Sequence, residues 1–209
     1  MGRSSEPGLS RLSFILHILF FMSGFSGLVY EVLWTRRFGF SFGNTTYATT
    51  LVLSAFMGGL ALGSRYLGAL ADRLERKVSA LTLYGWMEIG VGLYCLGFEQ
   101  ILAAQDRLLL VLYQAFDPGR VATLALKFSL AFVILILPAI LMGGTLPVLI
   151  KRLGRELSRV GEVTGRLYFV NCLGAVAGTL AVAFWMVPQL GVSLSYAVAA
   201  ALNIAAGVG

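Results

Sequence analysis

Residues 12–34 read LSFILHILFFMSGFSGLVYEVLW. Glu31 is the one Asp, Glu, Lys or Arg in this run and His17 its one histidine; the rest is mainly apolar, small or aromatic. About 20 apolar residues cross the hydrocarbon core of a bilayer as a helix. The stretch therefore predicts a membrane helix. Its far end is unusual, because Glu31 follows Tyr30, Trp34 comes next, and Arg36 and Arg37 close the run. A carboxylate so close to a hydrophobic span is expensive and is by default a functional hypothesis.

The rest of the chain agrees with this reading. Its 209 residues are 58% hydrophobic and only 12% charged, with a mean hydropathy of +0.84. Soluble domains carry roughly 25% charged residues. The charges are also segregated into short clusters between long apolar runs. This pattern predicts an all-α membrane protein forming one transmembrane domain over residues 1–209. Six spans are expected, at about 12–34, 45–70, 78–98, 121–150, 164–187 and 190–208. Pro138 and Pro147 are expected to bend the fourth, and Pro188 with Gly191 to mark the turn before the sixth.

Residues 99–120, EQILAAQDRLLLVLYQAFDPGR, have an apolar run too short to span and flanked by charges. They predict one short interfacial helix, followed by a turn at Asp117-Pro118-Gly119. Arg3 and Arg11 precede the first apolar run as in a signal peptide, but that run is too long and no A-x-A site follows. The first helix is therefore expected to be retained.

The net charge of +6 does not point to nucleic acid. The basic residues flank spans, where Lys and Arg set orientation. With the N-terminus in the cytoplasm, the inner segments hold 11 of the 16 basic residues and the outer ones hold 5. Both termini are thus predicted to be cytoplasmic, with Arg36 and Arg37 as the clearest exceptions. Cys95 and Cys172 lie 77 positions apart in apolar runs and read as buried small hydrophobes. His17 reads as a packing residue. No metal spacing or cofactor motif is present, so neither is expected.

Small residues recur at helix-packing spacing. Ala55, Gly59 and Gly63 form one stripe, and Gly174 and Gly178 another, with Asn171 on roughly the same face. Packing within one bundle is the plain reading, and a homodimer through a stripe is the alternative. VLWTRRFG (32–39) and VLIKRLG (148–154) echo each other, each followed by a helix rich in small residues. Three helices repeated in inverted orientation is a known transporter plan.

The loop after the second span reads GALADRLERK (68–77). It resembles the signature loop of the major facilitator superfamily, G-x-x-x-D-R-x-G-R-[RK]. Gly68, Asp72, Arg73, Arg76 and Lys77 match, and Glu75 replaces the second glycine. Asp72 is suited to pair with a nearby cation and Gly68 to permit close helix approach. In that superfamily the loop is a cytoplasmic latch.

A second resemblance covers nearly the whole chain. SGFSGLVYEVLWTRRFG (23–39), AFMGGLALGS (55–64), LADRLERKVSALTLYGWMEIGVGLY (70–94), LMGGTLPVLIK (141–151), GRLYFVNCLGAVAGTL (165–180) and VPQLGVSLSY (187–196) occur in order. Together they resemble membrane proteins of the spermidine-synthase-like family, in which an aminopropyltransferase-like domain commonly follows a major-facilitator-like membrane region. The resemblance implies a half bundle in the bacterial inner membrane, linked to polyamine chemistry. The catalytic domain is expected to be absent from this chain, so no catalytic residue is assigned.

Glu31 and Glu88 are the carboxylates within or near the spans. Tyr30 and Trp34 flank the first, while Tyr84 and Trp86 lie near the second. Carboxylates with aromatic faces suit an organic cation. Glu31, Tyr30, Trp34, Glu88 and Asn171 are accordingly the candidate ligand residues. The plainer readings are that Glu31 neutralises Arg36 and Arg37, that Glu88 pairs with Arg65 or Lys127, and that Asn171 bonds between helices. Three roles stay open: a membrane domain that binds or passes a small cationic metabolite or positions a catalytic domain, a structural subunit of a larger membrane complex, and a half-transporter completed by a second copy.

Overall fold

The computed structural model describes residues 7–74, 77–116, 119–153 and 160–209. Among them the chain is helical, without strands. The elements are α1 (Pro7–Phe42), α2 (Thr45–Leu74), α3 (Ala80–Leu96), α4 (Phe98–Phe116), α5 (Arg120–Leu153), α6 (Val160–Ala181), a π-helical turn (Val182–Met186) and α7 (Val187–Val208).

Among the described residues, four helical stretches are long and apolar enough to cross a membrane: Ser13–Phe42, Thr45–Leu74, Val121–Lys151 and Val160–Val208. A fifth is added if the pair α3 and α4, bent by 55° at Gly97, is taken as one span. The count of six expected spans turns on two places. The third, α3, has 17 residues, about 26 Å of helix, short of a full bilayer core. The fifth and sixth, expected to part at Pro188 and Gly191, form one apolar stretch of 49 residues by length and composition, but the backbone leaves helical geometry at Gly191. Gly191, with φ 78 and ψ 175, breaks it; a side chain there would be strained, so glycine suits the break.

The first helix also outruns its expected end by two turns. Nothing in Thr35–Gly39 breaks a helix, and long Arg stems can lie along an apolar surface while the guanidinium reaches polar partners. The stop comes at Gly43, whose φ is +63. Asn44 then caps α2, its Oδ1 accepting from the backbone N–H of Thr46 at 2.8 Å. At the other end α2 continues to Leu74. The residues expected to form the short interfacial helix are those of α4, which buries Phe98, Leu102 and Gln105. Of the expected turn, Asp117 and Pro118 lie outside the described residues. Pro138 and Pro147 both lie inside α5, which runs through them as a single helix.

Glycines fix the relative direction of the helices. A side-chain carbon at Gly174 would strike the backbone of Phe21, and one at Gly178 that of Phe25. The partners advance together, so α6 runs parallel to α1. Gly59 abuts Ala139 and Gly63 abuts Ile140 in the same sense, so α2 runs parallel to α5. Gly85 meets Gly207 while Gly92 meets Ala200, so α3 and α7 are antiparallel. Tyr94 donates to the Ile134 carbonyl and Gly90 lies against Leu141, so α3 and α5 are antiparallel as well. Leu19 lies against Gly209, whereas Tyr30 meets Asn203 and Tyr196, so α7 opposes α1. Helices α1, α3 and α6 therefore point one way and α2, α5 and α7 the other.

Both small-residue stripes are thus occupied inside the bundle, α2 by α5 and α6 by α1. Close backbone approach lets dispersion and packing hold helices together where lipid offers no hydrophobic drive. Large apolar side chains cover the outside, among them Phe14, Trp86, Leu137, Phe184 and Trp185. An exterior this apolar is compatible with a chain surrounded by lipid.

Candidate functional site

The sequence neighbours Tyr30, Glu31 and Trp34 do not form one site. Tyr30 and Trp34 are fully buried, one helical turn apart, and their rings stack at 5.9 Å. Tyr196 stacks on Tyr30 at 6.4 Å, and Phe98 meets Trp34 at 5.5 Å. These aromatics bind α1 to α4 and α7. Glu31 points elsewhere, because adjacent residues on a helix face different directions.

Tyr30 instead belongs with Glu88. Its hydroxyl donates to Asn203 Oδ1 at 2.9 Å, and Asn203 Nδ2 donates to Glu88 Oε2 at 2.5 Å. Ser23 and Tyr84 also lie beside the carboxylate. Glu88 is 1% exposed. The expected cations are not its partners: Lys127 Nζ donates to the Ser41 carbonyl at 3.1 Å, and Arg65 lines a cavity against α5. Glu88 Oε1, Tyr84 OH, Tyr196 OH and Trp34 Nε1 are buried without a hydrogen-bond partner. The result is a polar seam sealed between α1, α3 and α7. Asn203 completes it and was not among the sequence candidates. Its signal was an amide alone in an apolar run, as at Asn171.

Glu31 is half-buried and lines an open cavity of about 970 Å³. Thr35, Arg36, Asn44 and Thr179 share the wall, with Val182 and Ala183 of the π-helical turn. Such turns within helices occur frequently at functional sites. The expected neutralisation of Arg36 and Arg37 is not realised. Arg37 faces Glu99 at 3.7 Å and Asp106 at 3.9 Å. The Arg36 guanidinium lies 6.0 Å from the centre of the Phe40 ring. Glu31 itself has no hydrogen bond or ion pair among the described residues.

Asn171 donates from Nδ2 to the Phe20 carbonyl at 3.1 Å, joining α6 to α1. It also lines a second cavity, of about 240 Å³, with Ser23, Phe56, Thr145 and Tyr168. A third, of about 480 Å³, lies between α2 and α5. Leu28 borders the first and second cavities, and Ser64 the second and third. The three therefore abut along the face made by α1, α2, α5 and α6.

The loop motif stands at the end of that face. Asp72 pairs with Lys151, and Gly68 lies against Pro147, so α2 and α5 are clamped there. Arg73 sits in the last turn of α2, and Lys77 donates its backbone N–H to the Leu74 carbonyl at 2.8 Å. Glu75 and Arg76 lie outside the described residues. His17 contacts the Ser13 carbonyl on its own helix at 2.6 Å, and Cys95 and Cys172 are free thiols. No cluster of three metal-binding side chains occurs among the described residues.

These features define a multi-helix protein compatible with a membrane, with one sealed carboxylate and one facing an open cavity. Polyamine aminopropyltransferase 1 of Streptomyces coelicolor is 26% identical over 196 residues, covering 93% of this chain and 33% of that protein. The similarity supports a relation to that family. The chain spans about a third of the length of this curated relative. No family profile matches the chain, and no solved structure does.

Proposed function

We propose that the chain is the six-span membrane domain of a polyamine-aminopropyltransferase-like protein and binds a small cationic metabolite at Glu31. The layout is that of half a major facilitator. Exchanging α1, α2 and α3 with α5, α6 and α7 turns the α1–α6 pairing into the α5–α2 pairing, and each helix into one of opposite direction. This is the pattern of an inverted repeat. Gly191 then separates two spans, and α3 spans with the help of its bent partner. Both termini face the cytoplasm of the bacterial inner membrane, in keeping with the 11 basic residues on that side.

The observation that carries the ligand reading is Glu31. A half-buried carboxylate without a partner, in a cavity large enough for an organic ion, attracts a cation. Glu88 serves the bundle, since it is buried and lines none of the three cavities. Equilibrium binding of spermidine and short diamines to the purified chain in lipid nanodiscs tests this. Glu31→Gln is expected to weaken binding by about tenfold, as loss of a charge-assisted contact does. Glu88→Gln should leave affinity within about twofold, well under a tenfold step. Equal affinities for native protein and Glu31→Gln would remove the cation site.

A second reading has one observation of its own. The cavities abut along a single face of the bundle, and half a facilitator leaves such a face for another half. A second copy closing this face makes the chain a half-transporter. Disulfide crosslinking from a cysteine at Ser64 in lipid would trap that dimer. A membrane complex using the chain as a structural subunit would instead give crosslinks to other proteins.

A further inference from the structure

The cavity that holds Glu31 also holds a cation. Arg36 lines the same wall, and among the described residues it makes no ion pair. Its neighbour Arg37 does, with two carboxylates of α4. A site shaped only for a polyamine would not put a guanidinium without an anionic partner in the same cavity as its one carboxylate, because that charge repels every ammonium group entering. Arg36 is instead suited to a carboxylate, which its planar fork engages through two parallel hydrogen bonds.

Spacing narrows the ligand further. Glu31 and Arg36 are five residues apart on α1, roughly 7.5 Å along the axis, and they are not in ion-pair contact. A ligand bridging them needs an ammonium and a carboxylate separated by several carbon atoms. The ammonium and carboxylate on a single α-carbon are too close together for this. Thr35, Asn44 and Thr179 supply uncharged hydrogen-bonding groups on the same wall, and Leu28, Val32 and Val182 supply an apolar lining for a methylene chain.

We infer that the Glu31–Arg36 cavity takes an amino acid bearing a second, terminal ammonium group, with Glu31 receiving that ammonium and Arg36 the carboxylate. The inference rests on the cation reading of Glu31 and goes beyond it by naming the anionic end of the ligand. No bond is made or broken in this step.

Lysine and 1,5-diaminopentane (cadaverine) differ only by the carboxylate, so they form the direct probe pair. Their binding is compared on native protein, Glu31→Gln, Arg36→Gln and Arg36→Lys in nanodiscs. Native protein is expected to bind lysine about tenfold more tightly than cadaverine, a step a single charge-assisted contact supplies. Arg36→Gln should abolish that preference without weakening cadaverine, which also shows that the variant is folded. Arg36→Lys should keep part of the preference, and Glu31→Gln should weaken both ligands. Cadaverine binding that depends on Glu31 but equals or exceeds lysine binding overturns this inference and leaves the cation reading standing. Binding of both that is indifferent to Glu31→Gln overturns the cation reading itself.

Discussion

Glu88 shows how a buried carboxylate is held without a cation. Asn203 and Tyr30 form a chain of hydrogen bonds that ends on its Oε2. Such bonds between membrane helices contribute about 1–2 kcal/mol in model systems and less in many proteins. Asn203→Leu removes the amide that both neighbours use, and is expected to destabilise the bundle by about 2 kcal/mol or more, because two polar groups lose their partner. Tyr30→Phe loses one bond and should cost about 1 kcal/mol. Unfolding in lipid, followed by tryptophan fluorescence, gives both values; an Asn203→Leu variant as stable as native would mean the seam contributes nothing. The sequence made Glu88 visible as a carboxylate in an apolar run, and Asn171 as a polar group in another. It could not show that Tyr30 turns toward Glu88 and away from Glu31. That depends on which face of α1 meets α7, and α7 lies more than 150 residues away.

Helix pairs in this bundle are set by glycines that admit a neighbour's backbone. Gly63 faces the Ile140 carbonyl and Gly174 the Phe21 carbonyl, both closer than any side chain allows. Gly63→Val and Gly174→Val are expected to destabilise by about 1–3 kcal/mol or to prevent folding, as overpacking does. Gly58→Ala, with nothing within 4 Å, is the control and should be neutral or slightly stabilising in a helix. At the end of the same pair, Asp72→Lys should lower thermal stability by placing two cations together, and Asp72→Lys with Lys151→Asp should recover most of it. No recovery would mean the contact is incidental. The stripes were legible as small residues four apart, because that spacing puts them on one face. Helix ends were less legible. α1 runs past its apolar core to Gly43, since charged residues with long stems continue a helix as well as apolar ones.

At the scale of the whole molecule, the alternating directions of α1, α2, α3, α5, α6 and α7 put the Glu31 cavity at the end opposite Gly209 and the start of α1. The apolar runs and the turn marked by Pro188 and Gly191 were legible in the sequence, but the π-helical turn Val182–Met186 that precedes the break at Gly191 was not. The reversal there rests on packing: α6 lies parallel to α1, and α7 opposes it. Site-specific labelling tests this directly. Single cysteines at Gly43, Gln114, Gln189 and Ser79, in a chain with Cys95 and Cys172 replaced by alanine, are treated in intact bacterial cells with a membrane-impermeant maleimide. The account predicts labelling at Gly43, Gln114 and Gln189 from outside, and at Ser79 only after the membrane is opened. A Gln189 cysteine on the same side as Ser79 would contradict it.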